Sequence, residues 1–233
     1  MKSACVTAAL LCAGITMSAC TATVDGVPSA SVPAQGTPLS SATSTSTPTP
    51  AFTLPEALDG FDVYTPTAST DTATLFTRTV VNVRSWSDKL GTDFPIPVVI
   101  PRTNETACLR DRVSRACDTR IEFDVDQLDR DRHDFGDLPV RLVAAHEAGH
   151  FVISAAGGDD PSTVDDDAEA RANCVAGAYL ATDPTITAQT AGDAFDHTPL
   201  PRAGQASYDA FRAGFTMIRD GRNPIPTCAQ MIG

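Results

Sequence analysis

Asp137-Leu138-Pro139-Val140-Arg141-Leu142-Val143-Ala144-Ala145-His146-Glu147-Ala148-Gly149-His150-Phe151-Val152-Ile153 decides the reading of this chain. The stretch is long enough for a helix and apolar on nearly every side, so the helix belongs at the centre of a core. Asp137 is a suitable N-cap, and Pro139 is tolerated in a first turn, where its missing N–H has no partner to lose. Gly157-Gly158 stops it. Within it stands His146-Glu147-Ala148-Gly149-His150, an H-E-x-x-H pattern. Residues i and i+4 lie one above the other on a helix face, so two imidazoles at that spacing can grip one Zn2+, with Glu147 beside the open side of the metal. Hiding two His and a Glu in an apolar helix without a metal would leave three polar groups to be satisfied in the core.

Two His do not complete a catalytic zinc site, which takes three protein ligands and keeps one position for water. The extended metzincin pattern is absent, because Ile153 and Ala156 stand where its Gly and third His would fall. Downstream candidates for the third ligand are Asp159, Asp160, Asp165, Asp166, Asp167, Glu169 and His197. Glu169 has the best context. It lies on a helix expected from Ser162 to about Leu180, with Ser162 and Asp165 forming a capping box. The small residues Ala172, Ala176 and Gly177 allow that helix to approach the first one closely. Asn173, one turn on from Glu169, can accept a hydrogen bond from a ligating His and fix its tautomer. Asp165-Asp166-Asp167 suits a solvated helix start favoured by the dipole.

Around these helices, Asp71 to Leu90 reads as a helix ended by Gly91, with Leu75, Val80, Val83, Trp86 and Leu90 near helical spacing. Phe94 to Pro101 is extended, with prolines at its margins. Arg120 to Val125 alternates polar and apolar as a half-buried strand does. A last helix is expected from Gln205 to Arg219. His133 reads as a solvated loop residue.

The chain has 233 residues, of which 42% are hydrophobic and 20% charged, enough to build a packed core. Its net charge of −12 speaks against nucleic acid as a partner, since phosphates need a basic face. Aromatic residues, at 6%, are too sparse for base-stacking platforms. Residues 1–19 read as a signal segment: Met1-Lys2-Ser3, an apolar run to Ile15, then Met17-Ser18-Ala19 before Cys20. Small residues before a Cys resemble a bacterial lipoprotein box, so cleavage there would leave Cys20 to be lipidated and anchored to the cell membrane, outside the cytoplasm. Residues 20–66 are assigned to a Ser/Thr/Pro-rich tether unable to bury a core, and residues 67–233 to the folded domain. Four cysteines remain in that domain, an even number that suits two disulfides in an oxidising compartment. Cys108 and Cys117 flank a polar, turn-like stretch and are paired with each other, leaving Cys174 with Cys228.

From about Val80 to Cys228 the chain resembles the bacterial neutral zinc metallopeptidase family. The resemblance rests on Trp86, the Cys108 and Cys117 pair before a short strand, His146-Glu147-x-x-His150, and Glu169-Ala170-Arg171-Ala172-Asn173-Cys174-Val175-Ala176-Gly177. His197, Gln205, Phe211 to Phe215 and Cys228 echo its final part. Two departures stand out: Asn173 replaces the family's Asp, and Pro199-Leu200-Pro201 interrupts the stretch after His197. The resemblance implies an α+β, zincin-like metallopeptidase domain, with the zinc helices packed on a small sheet. It also implies Zn2+ held by His146, His150 and Glu169. Glu147 would then act as general base in the hydrolysis of a peptide or protein substrate. His197 is the candidate donor to the oxyanion. The alternatives are a non-catalytic zinc-binding lipoprotein that recognises a partner or cell-wall component, and a zinc hydrolase acting on another amide.

Overall fold

The computed structural model describes residues 54–232, apart from residues 103, 105–107, 110–111, 199 and 201–203. Helices and a small sheet make up a mixed α+β architecture. The signal segment and Cys20 lie outside the described residues. No helix among those described is long and apolar enough to cross a membrane.

The folded part reaches upstream of residue 67. A short helix, α1 (Leu54–Ala57), buries Leu54 in the core, and Leu58, Phe61 and Tyr64 pack partly against it. Asn82 ties this segment down by donating to the Asp62 carbonyl (3.0 Å) and accepting from the Tyr64 amide (3.1 Å). Four large apolar side chains thus give residues 54–66 enough surface to bury, unlike the Ser/Thr/Pro run before them.

Helix α2 (Thr72–Lys89) begins where the Asp71 carboxylate accepts from the Thr74 amide, at 2.7 Å. It ends at Leu90 before Gly91, whose φ of +85° suits a residue without a Cβ. Leu75, Phe76, Val80, Val83 and Trp86 are wholly buried. Strands β1 (Val98–Arg102), β2 (Ser114–Cys117) and β3 (Arg120–Asp124) form a sheet ordered β1-β3-β2. β1 runs parallel to β3, pairing Ile100 with Glu122, and β2 runs antiparallel, pairing Ala116 with Ile121. The central strand turns Ile121 and Phe123 into the core, where Phe123 stacks on Phe76 at 4.1 Å between ring centroids.

Asp124 closes β3 and at once caps α3 (Val125–Phe135) by accepting from the Gln127 amide. His133 therefore sits on a helix rather than a loop, exposed and paired with Asp134. Gly136, at φ +79°, joins α3 to α4 (Asp137–Ala155) and occupies the cap position expected of Asp137. The Asp137 carboxylate instead receives the Arg132 guanidinium at 2.6 Å. As its apolar surface requires, α4 is buried continuously from Pro139 to Ile153.

Helix α5 (Asp166–Leu180) starts one turn later than expected. Asp165, not Ser162, is its cap, accepting from the Ala168 amide at 2.8 Å; Ser162 is engaged with Asp160. Helices α6 (Ala188–His197), α7 (Gly204–Arg219) and α8 (Ile225–Cys228) complete the chain. Disulfides join Cys108 to Cys117 and Cys174 to Cys228, the latter fastening the C-terminal segment to α5.

Small residues let α5 press against both neighbours. A Cβ on Gly149 of α4 would stand 2.9 Å from the Ala172 carbonyl oxygen, and one on Gly177 or Gly214 would overlap the backbone of the facing helix. Backbone cannot swing aside as a side-chain tip can. Gly214→Ala is therefore expected to cost about 3 kcal/mol or more, near the upper end of overpacking effects. For a chain of this size that lowers the thermal midpoint by roughly 6–12 °C. A melt shifted by less than about 2 °C would show that α5 and α7 can separate.

Candidate metal centre

One turn apart on α4, His146 and His150 present their rings on the same side, perpendicular to each other with centroids 5.0 Å apart. The first turn of α5 brings Glu169 opposite them. Its Oε2 lies 3.0 Å from His146 Nε2 and 3.8 Å from His150 Nε2. All three residues are buried, and their ligand atoms lie within 4.8 Å of one another.

Glu169 Oε2 is enclosed by protein yet receives no hydrogen bond. A buried carboxylate oxygen in that condition is costly. Two ring nitrogens and this oxygen instead converge on one small region, as the donors to a cation do. The group is able to hold a metal ion.

The surroundings fix each member. Asn173 Oδ1 accepts from His146 Nδ1 at 2.9 Å, which leaves the Nε2 lone pair free to face Glu169. Asn173 is itself held by Ser207 of α7, to which its Nδ2 donates at 3.2 Å. Arg112 Nη1 donates to Glu169 Oε1 at 3.0 Å, engaging the oxygen that the imidazoles do not face. Burial pushes His150 down to about 3, keeping its ring in the neutral form that ligates. Burial would raise Glu169, but the close approach of His146 and the charge of Arg112 hold it at about 2. For His146 burial acts downward, and the Glu169 carboxylate outweighs it and raises the ring's pKa.

Glu147 is not part of the ligand group. Its carboxylate is buried and accepts from Ser114 Oγ of β2 at 2.6 Å. Burial pushes its pKa upward. Arg112, Ser114, Arg115, Ala116, Pro161 and Val164 line the same cavity as His146, Glu147, His150 and Glu169.

No family model, no curated protein and no solved structure matches this chain. Of the acidic residues weighed for the third position, Glu169 alone joins the two imidazoles among the described residues. Asp165 caps α5, Asp160 bonds Ser162, and Asp159 and Asp167 pair with Arg171. Asp166 is exposed in the first turn.

His197 is displaced from the role expected of it. It ends α6, exposed, with its ring stacked on Phe135 at 4.4 Å and beside Leu138. From Leu138 to His146 the α4 axis rises ~12 Å, beyond the reach of an imidazole. The polar groups that do approach the centre from outside α4 and α5, Arg112, Ser114 and Arg115, carry no motif. Their one signal in the sequence is their place inside the Cys108–Cys117 loop.

Asn173→Ala is expected to weaken metal binding ~10–100-fold, the usual effect of losing the partner that orients a ligand. A chelator-competition titration would measure it, and unchanged affinity would show that packing alone holds the His146 ring.

Proposed function

We propose that this chain is an exported zinc metallopeptidase with a zincin-like domain, tethered to the cell membrane through lipidated Cys20. The observation that carries the reading is a carboxylate, Glu147, standing beside a three-donor cage without belonging to it. A structural metal site has no need of such a group. Two imidazoles and one carboxylate leave the fourth position of a zinc ion for water, which is the donor set of catalytic zinc. Zinc bound there would supply a Lewis acid that activates water and polarises a scissile carbonyl.

The remaining work falls to the protein's own groups. Glu147 takes the proton of the attacking water and returns it to the leaving amine. Ser114 Oγ holds the Glu147 carboxylate in place. Asn173 sets the tautomer of His146, and Arg112 anchors Glu169. The two disulfides accord with an oxidising, extracytoplasmic compartment.

The test is cleavage of a peptide library by the domain without residues 1–19, as zinc-loaded protein, after chelation, and after zinc is restored. Cleavage that disappears and returns with one zinc per chain supports the proposal. Full zinc occupancy with no peptide cleaved would overturn it.

A further inference from the structure

Helix α4 carries more than the two imidazoles. Ser154 follows His150 by four residues and His146 by eight, so it prolongs the stripe that bears the ligands. Phe151, Ser154 and Ala155 line a cavity of about 310 Å³, whose further apolar surface comes from Phe94, Pro95 and Ile96. The rings of Phe94 and Phe151 face each other at 6.1 Å. Ile96 is half exposed, an unusual setting for a large apolar side chain with nothing to cover.

Three separate elements run from the metal centre to this cavity. Along α4, His150 leads to Phe151 and Ser154. Along β2, Ala116 lines the metal centre, and Asp118 and Thr119 in the turn after it line the cavity. In the segment between α4 and α5, Pro161 borders both. The spacing matches an extended peptide. Four residues of helix advance ~6 Å, and an extended chain advances ~3.3 Å per residue. A side chain one or two positions from a bond held at the metal therefore reaches the cavity.

We propose that this cavity is the side-chain pocket of the enzyme, and that it selects a peptide with a branched aliphatic or aromatic residue beside the cleaved bond. The inference rests on the peptidase reading. Asp118 is the ionisable residue lining the cavity, so an acidic side chain is repelled as well as unsolvated there.

A peptide series with Gly, Ala, Leu, Phe or Asp at the single position flanking the cleaved bond tests this. The Leu and Phe peptides are expected to exceed the Ala peptide by ~10–100-fold in kcat/KM, the range apolar pockets achieve, with Asp lowest. Ser154→Phe, at a half-buried position, fills the cavity and should lower the Leu-to-Ala ratio at least ~10-fold. Ala155→Phe, at an exposed position, repeats the test should the first variant fold poorly. Binding of the same peptides to zinc-loaded Glu147→Gln, by calorimetry, should follow the same order. A flat series, or a ratio unchanged by filling the cavity, overturns the pocket and leaves the peptidase reading standing. If no peptide is cleaved or bound, the peptidase reading falls and the pocket with it.

Discussion

Glu147→Gln is expected to lower kcat/KM ~10²–10⁴-fold, the usual contribution of a general acid–base group, while the protein keeps its metal. The amide has the size of the carboxylate and an oxygen that can still accept from Ser114, so the β2–α4 contact survives. What disappears is the ability to take a proton from water. His146, His150 and Glu169 are untouched, so zinc content by elemental analysis should equal that of the wild type. The stability effect has a definite sign in the metal-free protein. Burial raises the folded-state pKa of Glu147, so the folded chain holds its proton more tightly than the unfolded chain does. The carboxylate therefore costs stability as pH rises above ~4.3, its unfolded value, and costs nothing below it. Gln carries no charge to desolvate. The metal-free variant should melt above the wild type at pH 7, and the gap should close towards pH 4. Hydrolysis that survives in Glu147→Gln would assign the base elsewhere.

Glu169→Ala should do the reverse and remove the metal. It deletes one of three donors and leaves two neutral imidazoles, so affinity should fall by more than ~100-fold, beyond what loss of an orienting partner produces. Activity at limiting zinc falls with it. Two controls isolate the ligand role. Asp166→Ala changes an exposed acid in the same turn and should leave zinc content intact. Asp165→Ala removes the helix cap and should cost about 1 kcal/mol of stability without loss of metal. Full zinc in Glu169→Ala, with loss in Asp165→Ala, would show that the cap residue rather than Glu169 ligates.

The parts of the structure that were legible in sequence are those where apolar spacing and a stop signal agree. Helix α2 runs from the Asp71 cap to Gly91 because it buries one apolar face, and α4 from the Asp137 region to Gly157 because it buries nearly all of its surface. Helix α3 was not legible: Val125-Asp126-Gln127-Leu128-Asp129-Arg130-Asp131-Arg132-His133-Asp134-Phe135 buries only Leu128 and Asp131. Its existence follows from the Asp124 cap and from packing on α4, not from an apolar face. Ser162 and Asp165 fit one capping box in the sequence, but the turn through Asp160 engages Ser162 and leaves Asp165 itself as the cap of α5. At the centre, His146, His150, Glu169 and Asn173 lie on two successive helices and leave a spacing signal. Arg112 and Ser114 come from a strand and the turn before it, and no periodicity marks them. The sequence offers His197 as a candidate donor to the oxyanion. Its place on α6, beside the start of α4, was not visible without the fold.

The glycine contacts on α5 also bear on motion. The helix that carries Glu169 and Asn173 touches α4 at Gly149 and α7 at Gly177 and Gly214, backbone against backbone. Such helices cannot slide or roll without separating first, so the metal ligands share the slowest, most global opening of the chain. On the proposed peptidase reading, a rearrangement that admits a peptide would fall instead to the segment between α4 and α5. There Ala156, Gly157, Gly158 and Val164 are exposed, and Gly157 at φ +86° can absorb a backbone change. On the proposed peptidase reading, turnover and metal retention would rest on different parts of the chain: the rate at which the rim opens could change while the donor group beneath it keeps its geometry.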